Sequence, residues 1–371
     1  MNKTKKGFWG VFAFYFLVAF EFAYMAGPFA VYFYSVYSPV LNFMNRIPAL
    51  SWMIKFFLPH VVRDTSSTVI NSIEVIGLTL SILGFLIFVI GACQIYYSKL
   101  TKKGAVSGGL YRYIRHPQYT SFIVCSFGLL LLWPRYIVIF FFVTLVFGYY
   151  FLARAEEIEC EKKFGESFVE YERKTGRFFP TRKNAPKQTD SSNKMNFGKI
   201  FVIYLITLGV FYLGAFGLNK LTLHSLYSLE EETGVTVSLC EMDSETMENI
   251  MTIVKNDTRV TSYLPSEGEN KLLLNYILPT EWFAAEIPMN GVVYRSGHKS
   301  PADYDHSRYK IIFITPTLLA GEDPSPSDIL SKTIGITPLV EVWVDIAKGE
   351  VIEIKEMPKN IKYDGIPEAI Y

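Results

Sequence analysis

"GGLYRYIRHPQYTSFIVCSFGLLLLWPRYIVIFFFVTLVFGYYFLARAEE", residues 108–157, holds two apolar runs that meet at a single Pro134–Arg135 break, with charge at both outer ends. So short a break allows only a tight turn, and the two runs are expected to pair antiparallel as a hairpin. Positions equidistant from the turn then lie side by side, so His116 falls level with about Ala153 and Glu157 with about Arg112. At 1.5 Å of rise per residue, four positions amount to about 6 Å. Arg115, His116, Glu156 and Glu157 are therefore expected to converge on one patch. Pro117 suits the first turn of a helix, where its missing N–H costs nothing, and this puts His116 at the cap. Charge beside lipid is costly, which makes an Arg–His pair at the mouth of an apolar segment a functional candidate.

Outward from the hairpin, the 371-residue chain is 50% hydrophobic and 16% aromatic, and it carries further apolar runs. A run of about 18 or more such residues is a membrane-helix candidate. Residues 7–27, 68–97 and 199–218 join the two hairpin segments to give about five spans. The first is too long for a cleaved signal and lacks a small-residue cleavage site. It also sets Glu21 in mid-span, where a carboxylate is a functional candidate by default. "RIPALSWMIKFFLPH" (46–60) is too short to cross and reads as an interfacial piece. Lys and Arg crowd the amino terminus, loop 98–118 and segment 154–196, the last with ten of them. Basic loops stay cytoplasmic, so the amino terminus and the polar patch are expected on the inner face of the plasma membrane.

The net charge of +1 conceals a division. Residues 1–219 hold 23 Lys and Arg against 11 Asp and Glu, while residues 220–371 hold 13 against 24, so the two parts face different surroundings. The acidic part has no run of spanning length and is expected outside as a small α+β domain. "SETMENIMTIVKN" (244–256) reads as a helix opened by Asp243 or Ser244. "YKIIFITPT" (309–317) and "LVEVWVDIAKGEVIEIKEM" (339–357) read as strands of one antiparallel sheet, the latter a hairpin turning at Ala347-Lys348-Gly349. The expected organisation is an all-α polytopic membrane bundle over 1–183, a cytoplasmic linker over 184–198, a fifth transmembrane helix over 199–218 and an extracytoplasmic α+β domain over 219–371.

Cys93, Cys125, Cys160 and Cys240 form no C-x-x-C, which suggests neither a zinc site nor a disulfide framework. His298, Asp303, Asp305 and His306 could ligate a metal but read more simply as a polar surface loop, and no metal is expected. Nucleic-acid binding is not expected either, because the outer region is acidic and the basic loops are juxtamembrane.

"GLYRYIRHPQYT" (109–120) resembles the G-x-Y-x-x-x-R-H-P-x-Y signature of the integral-membrane methyltransferases, a group that includes isoprenylcysteine carboxyl methyltransferases and phospholipid N-methyltransferases. "RAEEIECEKKFGESFVEYERKTGRFFP" (154–180) resembles the second half of that pattern, with Glu-Glu, Phe-Gly, Tyr and Arg-Phe-x-Pro in order. The resemblance covers roughly residues 70–183; Thr120–Ser121 and Thr175–Gly176 depart from it. It implies S-adenosylmethionine as cofactor, in a pocket capped by the cytoplasmic segment after the hairpin. Tyr111, His116, Tyr119, Glu156 and Glu157 would bind it, the carboxylates engaging the ribose hydroxyls or the methionine ammonium. Only one helix face can point inward, which gives Glu156 the weaker claim. Arg115 and Arg177 are the candidate catalytic side chains, the first as a donor to the cofactor carboxylate, the second to orient an acidic substrate group or contact lipid phosphate.

The implied acceptor is a membrane lipid or a lipidated substrate, with prenylcysteine carboxylate and aminophospholipid both open. An amine acceptor must first be deprotonated. The alternative class is a non-catalytic membrane sensor that keeps this fold and acts through its outer domain, for which a protein partner is possible.

Overall fold

The computed structural model describes residues 31–59, 64–101, 106–180, 197–265, 272–284, 287, 289, 295–296, 299–319 and 325–358. The first apolar run with Glu21, the linker segment 181–196 and His298 lie outside them. A helical region with three candidate membrane-spanning helices precedes a sheet-containing region. The chain divides into two compact units.

One unit comprises residues 73–133 and 137–214. Numbering helices from α1 (Val31–Asn45) and α2 (Pro48–Ser51) of the other unit, it contains most of α3 (Thr68–Leu100), α4 (Pro117–Leu132), α5 (Tyr136–Phe164), α6 (Glu166–Lys174) and the first part of α7 (Phe197–Ser225). By length and composition α3, α5 and α7 can cross a membrane, whereas α4 has 16 residues. Gly77, Gly84 and Gly91 recur every seven positions along α3, a period that keeps one stripe facing a partner helix. They rest in antiparallel order on Gly128, on Ser121 with Cys125, and on Gln118 of α4. Small residues let helix backbones approach closely in lipid, where burial from water supplies no drive. Phe127–Phe142 and Phe122–Tyr149 ring contacts join α4 to α5, and a Phe142–Phe211 contact with a 2.9 Å Thr144–Tyr204 hydroxyl pair joins α5 to α7.

The other unit comprises the described residues of 31–72, 134–136 and 215–358. Residues 46–58, expected at the interface, instead use their apolar side chains in protein contacts: Ile54, Phe56, Phe57 and Leu58 are each 1–3% exposed. They clasp the hairpin turn. Arg135 donates to the Ile54 carbonyl at 2.6 Å and stacks its guanidinium 4.0 Å from the Phe56 ring centre. Phe57 N–H donates to the Pro134 carbonyl, and Lys55 Nζ reaches the Ser331 carbonyl at 2.7 Å.

After α7 the chain forms β1 (Tyr227–Glu231), β2 (Gly234–Ser238), α8 (Ser244–Asn256), α9 (Thr258–Thr261), β3 (Leu273–Pro279), β4 (Trp282–Phe283), β5 (Arg295–Ser296), β6 (Arg308–Leu318), α10 (Ile329–Lys332), β7 (Thr333–Asp345) and β8 (Glu350–Glu356). Six strands make one sheet in the order β1-β2-β3-β6-β7-β8. It is mixed rather than antiparallel, because α8 serves as a crossover that brings β3 in parallel to β2. Asp243 caps α8 as expected, accepting from Thr246 N–H at 2.7 Å. One sheet face packs Val340, Val342 and Ile311 on Met247, Ile250 and Val254 of α8; the other packs Tyr276, Ile312 and Ile314 with Trp282 and Ile329. Gly234 is required by close approach, since a Cβ there would meet the Leu273 carbonyl.

Two stability tests follow from this packing. A Cβ on Gly84 would sit 2.5 Å from the Cys125 backbone nitrogen, whereas one on Gly148 meets nothing within 4 Å. Gly84→Leu should lower stability by about 1–3 kcal/mol and Gly148→Ala should not, as read from thermal unfolding in detergent. In the sheet, burial pushes the Lys310 ammonium down to about 8, helped by Lys355 and opposed by Glu341. The unfolded chain holds this proton up to its ordinary value of about 10.4. Between those values the unfolded state binds more protons, so stability rises with pH across that window, by on the order of 2–3 kcal/mol. Lys310→Met should remove that rise in pH-dependent unfolding of the full chain.

Candidate active site

No proline or glycine interrupts α5 after Gly148, so the helix runs past its apolar part and carries Glu156 and Glu157 out on its last turns. On the facing strand of chain, Gly109 adopts φ +60 and starts a 3-10 turn over Gly109–Arg112 that holds Tyr111. Gln94 of α3 secures this turn, its side-chain oxygen accepting Leu110 N–H at 3.2 Å, with Gly109 so close that a Cβ would strike it. Pro117 opens α4 with His116 at its cap. After Gly165, also at positive φ, α6 buries Phe168 and Val169 and leads into an extended segment. That segment lies against the Arg-His loop as a short parallel bridge between Ile114 and Gly176, with Arg115 N–H donating to the Gly176 carbonyl and His116 N–H to that of Arg177.

At the centre is the Glu157 carboxylate, 6% exposed. Its Oε1 accepts from Arg115 Nε at 2.7 Å and lies 3.1 Å from His116 Nε2. Its Oε2 accepts from Arg177 Nε at 2.9 Å and Nη2 at 2.5 Å. Arg115 turns its remaining donors to the carbonyls of Glu172 and Thr175, with the Glu172 carboxylate 3.5 Å away. Burial raises the Glu172 carboxyl, against the pull of Arg115.

Glu156 is different. Its side chain is 47% exposed; Oε1 accepts from Tyr119 O–H at 2.6 Å and Oε2 lies 3.6 Å from His116 Nδ1. The rings of His116, Tyr119 and Tyr149 form a stacked column, with centroids 5.4 and 4.8 Å apart. Tyr111 is buried, and its hydroxyl has no hydrogen-bond partner among the described residues. Burial, then Tyr171 and Glu156, push its phenol well up, so it stays a neutral donor. Tyr171 donates to the Tyr111 carbonyl at 2.6 Å.

The structure thus brings together Arg115, His116, Tyr119, Glu156, Glu157 and Arg177, with Tyr111 joined through Tyr171 and near Glu156. Residues the sequence reading passed over are Gln94, Tyr149, Tyr150 and Glu172; Tyr171 was matched to the pattern without being given a role. Tyr149 and Tyr150 stand seven positions before Glu156 and Glu157, two helical turns away on the same faces, and Arg177 lies over the Tyr150 ring. That spacing was the available signal. Both departures from the pattern are absorbed by backbone: Thr120 and Ser121 hydroxyls bond back to the His116 and Pro117 carbonyls, and Thr175 and Gly176 act through theirs.

Residues 69–167 match the family model described as phospholipid methyltransferase. Over that stretch, about a quarter of the chain, the protein is similar to an integral-membrane methyltransferase family. The matched segment takes in α3, the Arg-His loop, the hairpin and both glutamates; it ends inside α6, before Arg177. Neither the curated proteins nor the solved structures gave a match.

The buried Arg115 and the partly buried Arg177 share Glu157 as counter-ion, and breaking a buried pair by removing one partner costs about 3–5 kcal/mol. Glu157→Gln should therefore release segment 172–177, seen as faster amide hydrogen exchange there. Glu156→Gln should leave that exchange unchanged.

Proposed function

We propose that the protein transfers a methyl group from S-adenosylmethionine to a lipid-like or lipid-attached acceptor at the membrane surface. The observation that carries this reading is the closed ion network of Arg115, His116, Glu157 and Arg177, which leaves Glu156, Tyr119 and the Tyr111 hydroxyl as ligand-facing groups beside an aromatic wall. These fit the cofactor's chemistry: a half-exposed carboxylate favours its cationic centres, and an unpartnered buried hydroxyl needs a polar ligand atom. When bound, the cofactor would supply an activated methyl group on a sulfonium. The chain's own part is binding and orientation, and holding two reactants in line is worth several kcal/mol of barrier.

In this reading Arg115 and Arg177, the candidate catalytic residues, act by position: they fix Glu157 and the segment that covers it. Tyr111, His116 and Tyr119 form the cofactor wall with Glu156. Residues 1–183 are the methyltransferase core, 184–198 a linker, 199–218 a further span and 219–371 an outer domain. The Lys and Arg distribution supports an inner-face site in the plasma membrane. The shared unit of hairpin turn and sheet supports putting both on the outer side. In this reading the acceptor enters from the bilayer, and the outer domain is where a protein partner would bind.

Calorimetry on the purified full chain tests the cofactor. Wild type should bind S-adenosylmethionine saturably, His116→Ala should not, and Tyr111→Phe should weaken binding about three- to tenfold for one lost hydrogen bond. A folded wild type that binds none defeats the reading. Labelled methyl transfer, compared on phosphatidylethanolamine and on a prenylcysteine analogue, identifies the acceptor.

A further inference from the structure

Resting on the methyltransferase reading, we infer that Glu156 is the general base that takes a proton from an amine acceptor, while Glu157 is the fixed anchor of the site. The two adjacent carboxylates have opposite surroundings. Both Glu157 oxygens are filled by arginine donors and His116, so it has no free lone pair toward a ligand and its charge is matched twice over. Among the described residues Glu156 has no Lys or Arg partner; His116 is its only ion-pair neighbour, at 3.6 Å. One side of it is open, with 47% of the side chain exposed.

A carboxylate acceptor would ask for a free cation, and the two nearest guanidiniums are committed to Glu157. An ammonium acceptor asks for what Glu156 offers: an anion, reachable, able to receive a proton. The groups facing Glu156 are Tyr119 and His116 from the start of α4, Tyr111 from the 3-10 turn, and Glu157, Glu159 and Cys160 from its own helix. Tyr119 donates to one oxygen, while the other faces His116 Nδ1 at 3.6 Å with no hydrogen bond, which leaves lone pairs for the substrate. His116 is itself held at its other nitrogen by Glu157, so the anchor orients the base through the imidazole.

In the step, a proton passes from the acceptor ammonium to a Glu156 oxygen. The freed nitrogen lone pair forms the N–C bond to the methyl carbon as the S–C bond breaks. The bonding pair stays on sulfur, which leaves as a neutral thioether, and the methylated nitrogen carries the positive charge away. Glu156 then returns its proton to water through its exposed side.

The test uses the full chain in phosphatidylcholine nanodiscs, with S-adenosylmethionine affinity measured by calorimetry and methyl transfer to added phosphatidylethanolamine followed from pH 6 to 10. Glu156→Gln should weaken S-adenosylmethionine binding by about tenfold or less, as loss of one half-exposed charge from the cofactor wall, yet at saturating cofactor transfer methyl about 10²-fold or more slowly at pH 7, the usual worth of a general base. That deficit should narrow as pH approaches the amine's own pKa, because solution then supplies the free amine. Glu156→Asp should restore part of the rate. The proposal is overturned by equal rates, by a deficit independent of pH, or by loss of cofactor binding in Glu156→Gln. It is also overturned if the wild type methylates only the prenylcysteine carboxylate, which would leave the methyltransferase reading intact. A wild type that binds no S-adenosylmethionine sinks both.

Discussion

A single carboxylate organises the polar end of this molecule. Glu157 sits where water cannot screen it, and it is the shared counter-ion of Arg115 and Arg177. Those two residues lie 62 positions apart in sequence, one before the hairpin and one after α6. Neither could be buried alone, because an isolated charge in a low-dielectric setting costs several kcal/mol. The ion pair thus joins three pieces of chain: the Arg-His loop, the end of α5 and the extended segment after α6. The backbone bridge at Ile114–Gly176 completes the joint with uncharged hydrogen bonds.

The rest of the helical unit supplies that carboxylate with an address. The three-residue turn fixes the register of α4 against α5, and the stacked Tyr119–Tyr149 rings hold it near the site. On the other side of α4, the seven-residue glycine repeat of α3 permits backbone contact close enough for Gln94 to reach the loop. Apolar contacts set the distances, and the charges then choose among the few arrangements left.

Much of this was readable in advance. Hairpin counting around Pro134 brought His116, Arg115 and Glu157 together because helical rise is nearly constant, and the cap at Asp243 and the β7–β8 turn followed from local chemistry with Gly349 at φ +69. It was harder to see which glutamate faces inward, because the direction of a helix face depends on its neighbours; Glu157 takes the inner place and Glu156 the exposed one. Strand β7 begins at Thr333, ahead of the expected 339, because Gly335 and Pro338 look like breakers although they sit beside bulges in a long edge-protected ribbon. The β1–β2 hairpin was hidden by its acidic run at 230–232, which belongs to a sheet edge. Residues 46–58 are apolar for a tertiary reason, the clasp on Arg135, which no local pattern encodes.

The modest length of α4 has a consequence for the surrounding lipid. Sixteen residues make a helix of about 24 Å, against a hydrocarbon core of about 30 Å. Its longer neighbours can tilt to fit, but a helix clamped at both ends by Pro117 and the Pro134 turn has little freedom to do so. A bilayer meets such a mismatch by thinning locally. Lipids beside α4 would then be compressed, and their headgroups would descend toward the depth of the polar network around His116.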